Sequence, residues 1–135
     1  QRVLPILKHV HIKDYTAHPT ASGYRFKRCA IGAGVVDWPV LFAAFAGGAP
    51  QVQACIELGA SSARHIRLLE EDYWSTYSPR PPDETTAAIR ILHQAARPSE
   101  EDWRTPHERG EKAQDQVDYE LDQLEASVEY LRGIV

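Results

Sequence analysis

The chain predicts an α/β fold with parallel strands, and three observations carry that prediction. Two short segments alternate at strand period: Val10 and Ile12 against His9, His11 and Lys13, then Val52, Ala54 and Ile56 against Gln53, Cys55 and Glu57. A helix pattern lies between them. Asp37 is placed to cap it, Pro39 suits its first turn, Val40, Leu41, Phe42, Ala44 and Phe45 fill it, and Gly47-Gly48 stops it. The third observation is chemical: an imidazole, His11, and a carboxylate, Glu57, sit toward the C-terminal ends of the two strands. In a parallel β/α unit those ends share one face, which is where active sites are built, and the crossover is right-handed.

The remaining elements follow in order. Residues 2–8 read as the end of an element already under way, and the start at Gln1 predicts a C-terminal fragment of a longer protein. Residues 15–34, rich in Pro, Gly, Ser and Thr and basic at Arg25, Lys27 and Arg28, read as one long loop ending in Gly32-Ala33-Gly34; loops of that length are usually functional. The helix after Asp37 is apolar almost all round, so it is expected to be well buried. Ser61 or Ser62 is placed to cap a short helix through Leu69, and Asp83 another with Ala88, Ile89, Leu92 and Ala95 on one face. Thr105-Pro106-His107-Glu108 has the form of a capping box with Pro at the first helical position. Val117, Leu121, Leu124, Val128 and Leu131 then recur at four- and three-residue steps along a terminal helix.

Composition sets the outer bounds. At 135 residues and 43% hydrophobic content the chain suffices for one modest domain. Its 15 Lys and Arg against 19 Asp and Glu leave a charge of −4 with no long basic run, which argues against nucleic acid as a partner. No apolar stretch reaches membrane-span length, so no membrane partner is expected. Cys29 and Cys55 are widely spaced, and reduced thiols in a cytoplasmic protein are the default expectation.

HVHIKD at residues 9–14, the glycine turn followed by Val35-Val36-Asp37-Trp38, the apolar helix and the strand ending Cys55-Ile56-Glu57-Leu58 together resemble the last part of the xylose isomerase-like sugar-phosphate isomerase/epimerase superfamily, a TIM-barrel group. The resemblance covers residues 3–58 and reaches the tail only in its helical character. It implies that residues 1–60 are the last two β/α units of a (β/α)8 barrel, strands seven and eight, and that residues 61–135 are a helical C-terminal extension packed on it. It implies His11 and Glu57 as ligands of a divalent metal, with Glu57 also moving a proton; the remaining ligands, a Glu and an Asp from the fifth and sixth strands, lie outside this chain. The implied substrate is a small keto-sugar or sugar acid, its enediolate stabilised by the metal. Mixed oxygen and nitrogen ligation suits Mn, Mg or Zn without choosing among them.

Around that pair, Lys13 shares the strand face of His11, Asp14 follows it, and Arg28 is the basic residue nearest the glycine turn; these three are candidates for substrate binding. His9 is read as structural and Cys55 as a small buried hydrophobe. Gly32-Ala33-Gly34 is read as a turn that needs positive φ rather than a phosphate cradle. Arg64 and His65 face either the site or solvent, and Glu70 to Trp74 either close over a substrate or pack. Three functions stay open: a metal-dependent isomerase or epimerase, a decarboxylase or other lyase of a keto-sugar acid, and a non-catalytic α/β module that uses its terminal helix to associate, for instance into a homo-oligomer. A barrel-type nucleic-acid repair enzyme fits the acidic balance poorly. Two strands cannot close a barrel, so Val10, Ile12, Val52, Ala54 and Ile56 are expected to lose most of their cover, leaving the 135 residues alone marginal and inactive.

Overall fold

In the computed structural model, residues 3–59 and 61–134 are described; Arg2 lies outside them. The strands form two small sheets. In the first, β1 (His9–Ile12) pairs in parallel with β4 (Gln53–Ile56), and α1 (Trp38–Gly48) lies between them in the chain. Val10 faces Ala54 and Ile12 faces Ile56 in the register, while His11 faces Cys55. Side chains alternate across a strand, so this register puts Val10, Ile12 and Ile56 on one face and His9, His11 and Cys55 on the other.

The apolar face meets α1 and the end of α3 (Ala113–Arg132). Ile12, Ile31 and Trp38 are its buried centre, packed by Val10, Leu41, Phe42, Ile56, Tyr130 and Leu131. The expectation that Ile12 would lose its cover is therefore overturned: it is 4% exposed, because the glycine-turn segment and the terminal helix supply the missing wall. Ala54 does stay exposed, and among the described strands neither β1 nor β4 has a partner on its outer edge.

α1 begins as the sequence indicates, with the Asp37 carboxylate accepting from Val40 N at 3.1 Å and Pro in the first turn. It is less buried than its composition predicts. Trp38 and Phe45 are inside, whereas Val40 is 65% exposed and Ala43, Ala44 and Ala46 are exposed.

The second sheet corrects the largest misreading. Residues 15–34 are not one loop: β2 (Asp14–Thr20) and β3 (Gly23–Cys29) form an antiparallel hairpin that extends β1 after a single residue, Lys13. β5 (Arg64–Ile66) adds to the far edge of β3, in place of the helix expected from Ser61 or Ser62. Pro19 is tolerated because β2 is an edge strand. This sheet packs Ala17, Tyr24 and Leu68 with Phe26, Ile66, Tyr73, Ile89 and Leu92 against α2 (Pro82–Ala95). Asp83 lies in the first turn of α2 rather than capping it, where its charge complements the helix dipole. The capping box at Thr105 forms: Glu108 N donates to Thr105 Oγ1 at 3.2 Å and Thr105 N donates to Glu108 Oε2 at 3.0 Å.

α3 docks through polar groups. Ile31 N donates to the fully buried Ser127 hydroxyl at 2.9 Å, and Ala30 N donates to Gln123 Oε1 at 2.6 Å. Three of the five seam residues face outward, with Val117 and Leu121 about half exposed and Leu124 also exposed.

Candidate metal centre

Glu57 follows β4 and His11 lies within β1; Glu57 N donates to Ile12 O at 2.9 Å, which carries the parallel ladder one step past β4 and fixes the carboxylate beside the imidazole. Glu57 Oε2 lies 2.8 Å from His11 Nδ1, and Oε1 accepts from Lys13 Nζ at 2.6 Å and from Arg28 Nη2 at 3.4 Å. A second Arg28 nitrogen donates to Gly59 O at 3.2 Å, holding the guanidinium across the end of the sheet. Four of the five residues singled out for this site thus converge. Hydrogen bonds from Lys13 and His11 hold the Glu57 carboxyl down at about 2, so it is ionised at neutral pH. A carboxylate only accepts, so Nδ1 of His11 must be the donor and Nε2 is left free.

Asp14 is the residue that does not join them. It is completely buried, and its carboxylate accepts from the backbone N–H groups of Tyr15, Gly32, Gly34 and Val36 and from Trp38 Nε1, at 2.8 to 3.2 Å. With both oxygens engaged in that way it has no capacity left for a substrate hydroxyl. Its role is to gather the glycine turn and Trp38 around one charge. A Cβ at Gly34 would collide with that carboxylate, and one at Gly32 (φ +90°) would lie 2.6 Å from the Tyr130 ring. The turn therefore needs its glycines for close approach as well as for φ.

The other basic residues of β3 point elsewhere. The Arg25 guanidinium stacks 4.0 Å from the Trp103 ring centroid, and Lys27 Nζ reaches Asp102 O at 3.5 Å. Strand alternation separates them from Arg28. His65, on β5, is held by the Thr20 and Ser22 hydroxyls at 3.1 and 3.2 Å. The residues around Glu70 pack rather than cover the site. Tyr73, Trp74 and Tyr77 form an aromatic cluster beside α2, bordering a cavity of about 270 Å³ that also touches Ile66, Leu68 and Ile89.

Two expectations about the same sheet face are corrected: His9 and Cys55 are both exposed, not buried structural residues. Cys55 Sγ lies 3.5 Å from His9 Nε2, and the His9 and His11 rings meet edge to face at 5.2 Å. Cys29 is the buried thiol, pushed up to about 12 by burial and by the Asp14 carboxylate.

The His11–Glu57 pair suits a hard divalent ion. Adjacent ligands on an octahedral ion with bonds of about 2.1 Å lie about 3.0 Å apart, close to the separation found here. Two protein donors are nevertheless fewer than such an ion needs, and Lys13 and Arg28 oppose a further positive charge on Oε1. Comparison with known proteins finds no family, no curated protein and no solved structure that matches this chain. Among the described residues no helix is long and apolar enough to cross a membrane.

Proposed function

We propose that this chain supplies the last two β/α units, and half of the metal site, of a divalent-metal-dependent isomerase or epimerase acting on a small keto-sugar or sugar acid. The observation that carries the reading is the meeting of His11 Nδ1 and Glu57 Oε2 at 2.8 Å, at the C-terminal ends of two parallel strands. The outer edges of β1 and β4, which have no partner among the described strands, support it, since a barrel would give each a neighbour. So does an open apolar groove of about 580 Å³ lined by Phe42, Phe45, Ala49, Val52 and Ala54, where an adjoining unit would pack.

A bound divalent ion would polarise a carbonyl and its neighbouring hydroxyl and stabilise an enediolate. Within the chain, His11 and Glu57 would hold that ion. Glu57, with its pKa lowered to about 2, is a good ligand but a weak base while Lys13 grips it. Drawing Lys13 onto a substrate oxygen would release Oε1 and raise its basicity, so Lys13 serves as the switch between the two roles. Arg28, anchored on Gly59 O, is placed to receive a carboxylate or phosphate. The decarboxylase alternative uses the same groups with loss of CO₂ in place of proton transfer. The test is Mn²⁺ binding followed by electron paramagnetic resonance on the complete gene product, together with deuterium uptake beside the carbonyl of a panel of ketoses. His11→Ala and Glu57→Gln should each remove both signals; uptake that ignores chelator and both substitutions would sink the reading.

A second reading has its own observation. Val117, Leu121 and Leu124 leave an apolar seam exposed on α3 at four- and three-residue spacing, the pattern of a helix that pairs with another. Under it the chain is an association module, and sedimentation would show a homo-oligomer that Leu121→Lys dissociates.

A further inference from the structure

The geometry points to a second, thiophilic metal site on the same sheet face, formed by His9, His11 and Cys55 and suited to Zn²⁺. One ligand atom from each of these residues lies within 4.8 Å of the other two, and among the described residues this is the one group of three or more ligand-type side chains so placed. The register makes it: His11 is the Cα partner of Cys55, and His9 lies two residues back on the same face. Tetrahedral zinc with bonds of about 2.3 Å to sulfur and about 2.0 Å to nitrogen holds those two atoms about 3.5 Å apart. Cys55 Sγ and His9 Nε2 stand at 3.5 Å. All three residues are exposed, so an ion can reach them from solvent.

Glu57 completes the arrangement from outside the ligand set. By accepting a hydrogen bond from Nδ1–H of His11 it leaves Nε2 as the free lone pair, the carboxylate–histidine–metal arrangement that orients many zinc ligands. Three protein ligands leave the fourth position to water. As the Zn–S bond forms, the Cys55 thiol proton goes to solvent, so binding strengthens with pH. The site stands independently of the isomerase reading but bears on it. A hard ion takes Nδ1 of His11 together with Glu57, whereas zinc at Nε2 keeps Nδ1 protonated on Glu57, so zinc at this site would exclude the hard ion.

The test is Co²⁺ titration of the reduced full chain, read by thiolate-to-cobalt charge transfer in the near ultraviolet and by the intensity of the visible bands. A charge-transfer band displaced by Zn²⁺ is expected, absent in Cys55→Ser and lost with His9→Ala. Glu57→Gln should keep the band and weaken binding about 10- to 100-fold. Should the variants fail to fold, alkylation of the unaltered chain decides: Cys29 is buried, so the fast-reacting thiol is Cys55, and Zn²⁺ should slow it at least about tenfold. No thiolate band and no protection would overturn the site. A band, with no Mn²⁺ bound by the complete gene product, would support it while sinking the isomerase reading, and Mn²⁺ bound by the complete gene product without a band in this chain would do the reverse.

Discussion

The parallel pair and the three-stranded sheet are built on opposite rules. In β1 and β4 the buried face is apolar and the open face carries chemistry, so alternation in the sequence reports the strand directly. In β2 the buried residues include Asp14, Thr16 and His18, each polar and each 8% exposed or less. Thr16 Oγ1 and His18 Nε2 pair at 2.9 Å, while His18 Nδ1 is buried without a partner among the described residues, and Asp14 is saturated by five donors. A strand whose inside is polar reads as a loop, because its burial is stabilised by hydrogen bonds that only the folded chain can make.

The harshest way to break this contrast is Asp14→Ala. It strands four backbone N–H groups and the Trp38 indole in the seam between the two sheets, and should cost on the order of 4 kcal/mol or unfold the chain. Denaturant unfolding measures it; a loss below about 1 kcal/mol would mean that the turn holds without its charge. Next comes Ser127→Ala, which leaves Ile31 N without its acceptor and should cost about 1–3 kcal/mol in the same assay.

Acid sharpens the comparison, because each sheet has its own titrating group. Burial lowers the pKa of His18 below its ordinary 6.5, so the unfolded chain takes up that proton first and stability falls as pH drops through 6.5. Glu57 is depressed from 4.5 to about 2 by Lys13 and His11, so its contribution is whole above 4.5 and fades as pH falls toward 2. Stability measured against pH should show a smaller upper step in His18→Asn, the remainder being carried by His65, whose pKa burial also lowers, and a smaller lower step in Glu57→Gln, the remainder being carried by Asp102 and Glu100. Both steps unchanged in size after both substitutions would contradict the assignment. The smallest effect is expected from Leu121→Lys, within about 0.5 kcal/mol for the single chain because the residue is half exposed; a larger loss that grows with protein concentration would instead report association.

Most of the candidate site could be read in advance. His11, Lys13 and Glu57 follow from strand period alone, since residues two apart share a face and strand ends share a rim. Arg28 could be chosen over Arg25 and Lys27 only from its nearness to the glycine turn, and the hairpin supplies the real reason, which is alternation along β3. His9 reads from the sequence as structural and Cys55 as a small buried hydrophobe; both are exposed, because exposure depends on what stands opposite that face.

What the sequence determined by itself is local. Asp37 caps α1 and Thr105 and Glu108 cap each other through contacts between near neighbours, and the alternation of residues 9–12 and 53–56 fixes which side chains share an apolar face. Tertiary structure decided the rest. It made β5 a strand by offering the open edge of β3, drew Asp14 into a buried ring of donors, and turned Ser127 inward while Val117 and Leu121 faced out. In each case the energy comes from partners distant in the chain, whose positions no local pattern encodes.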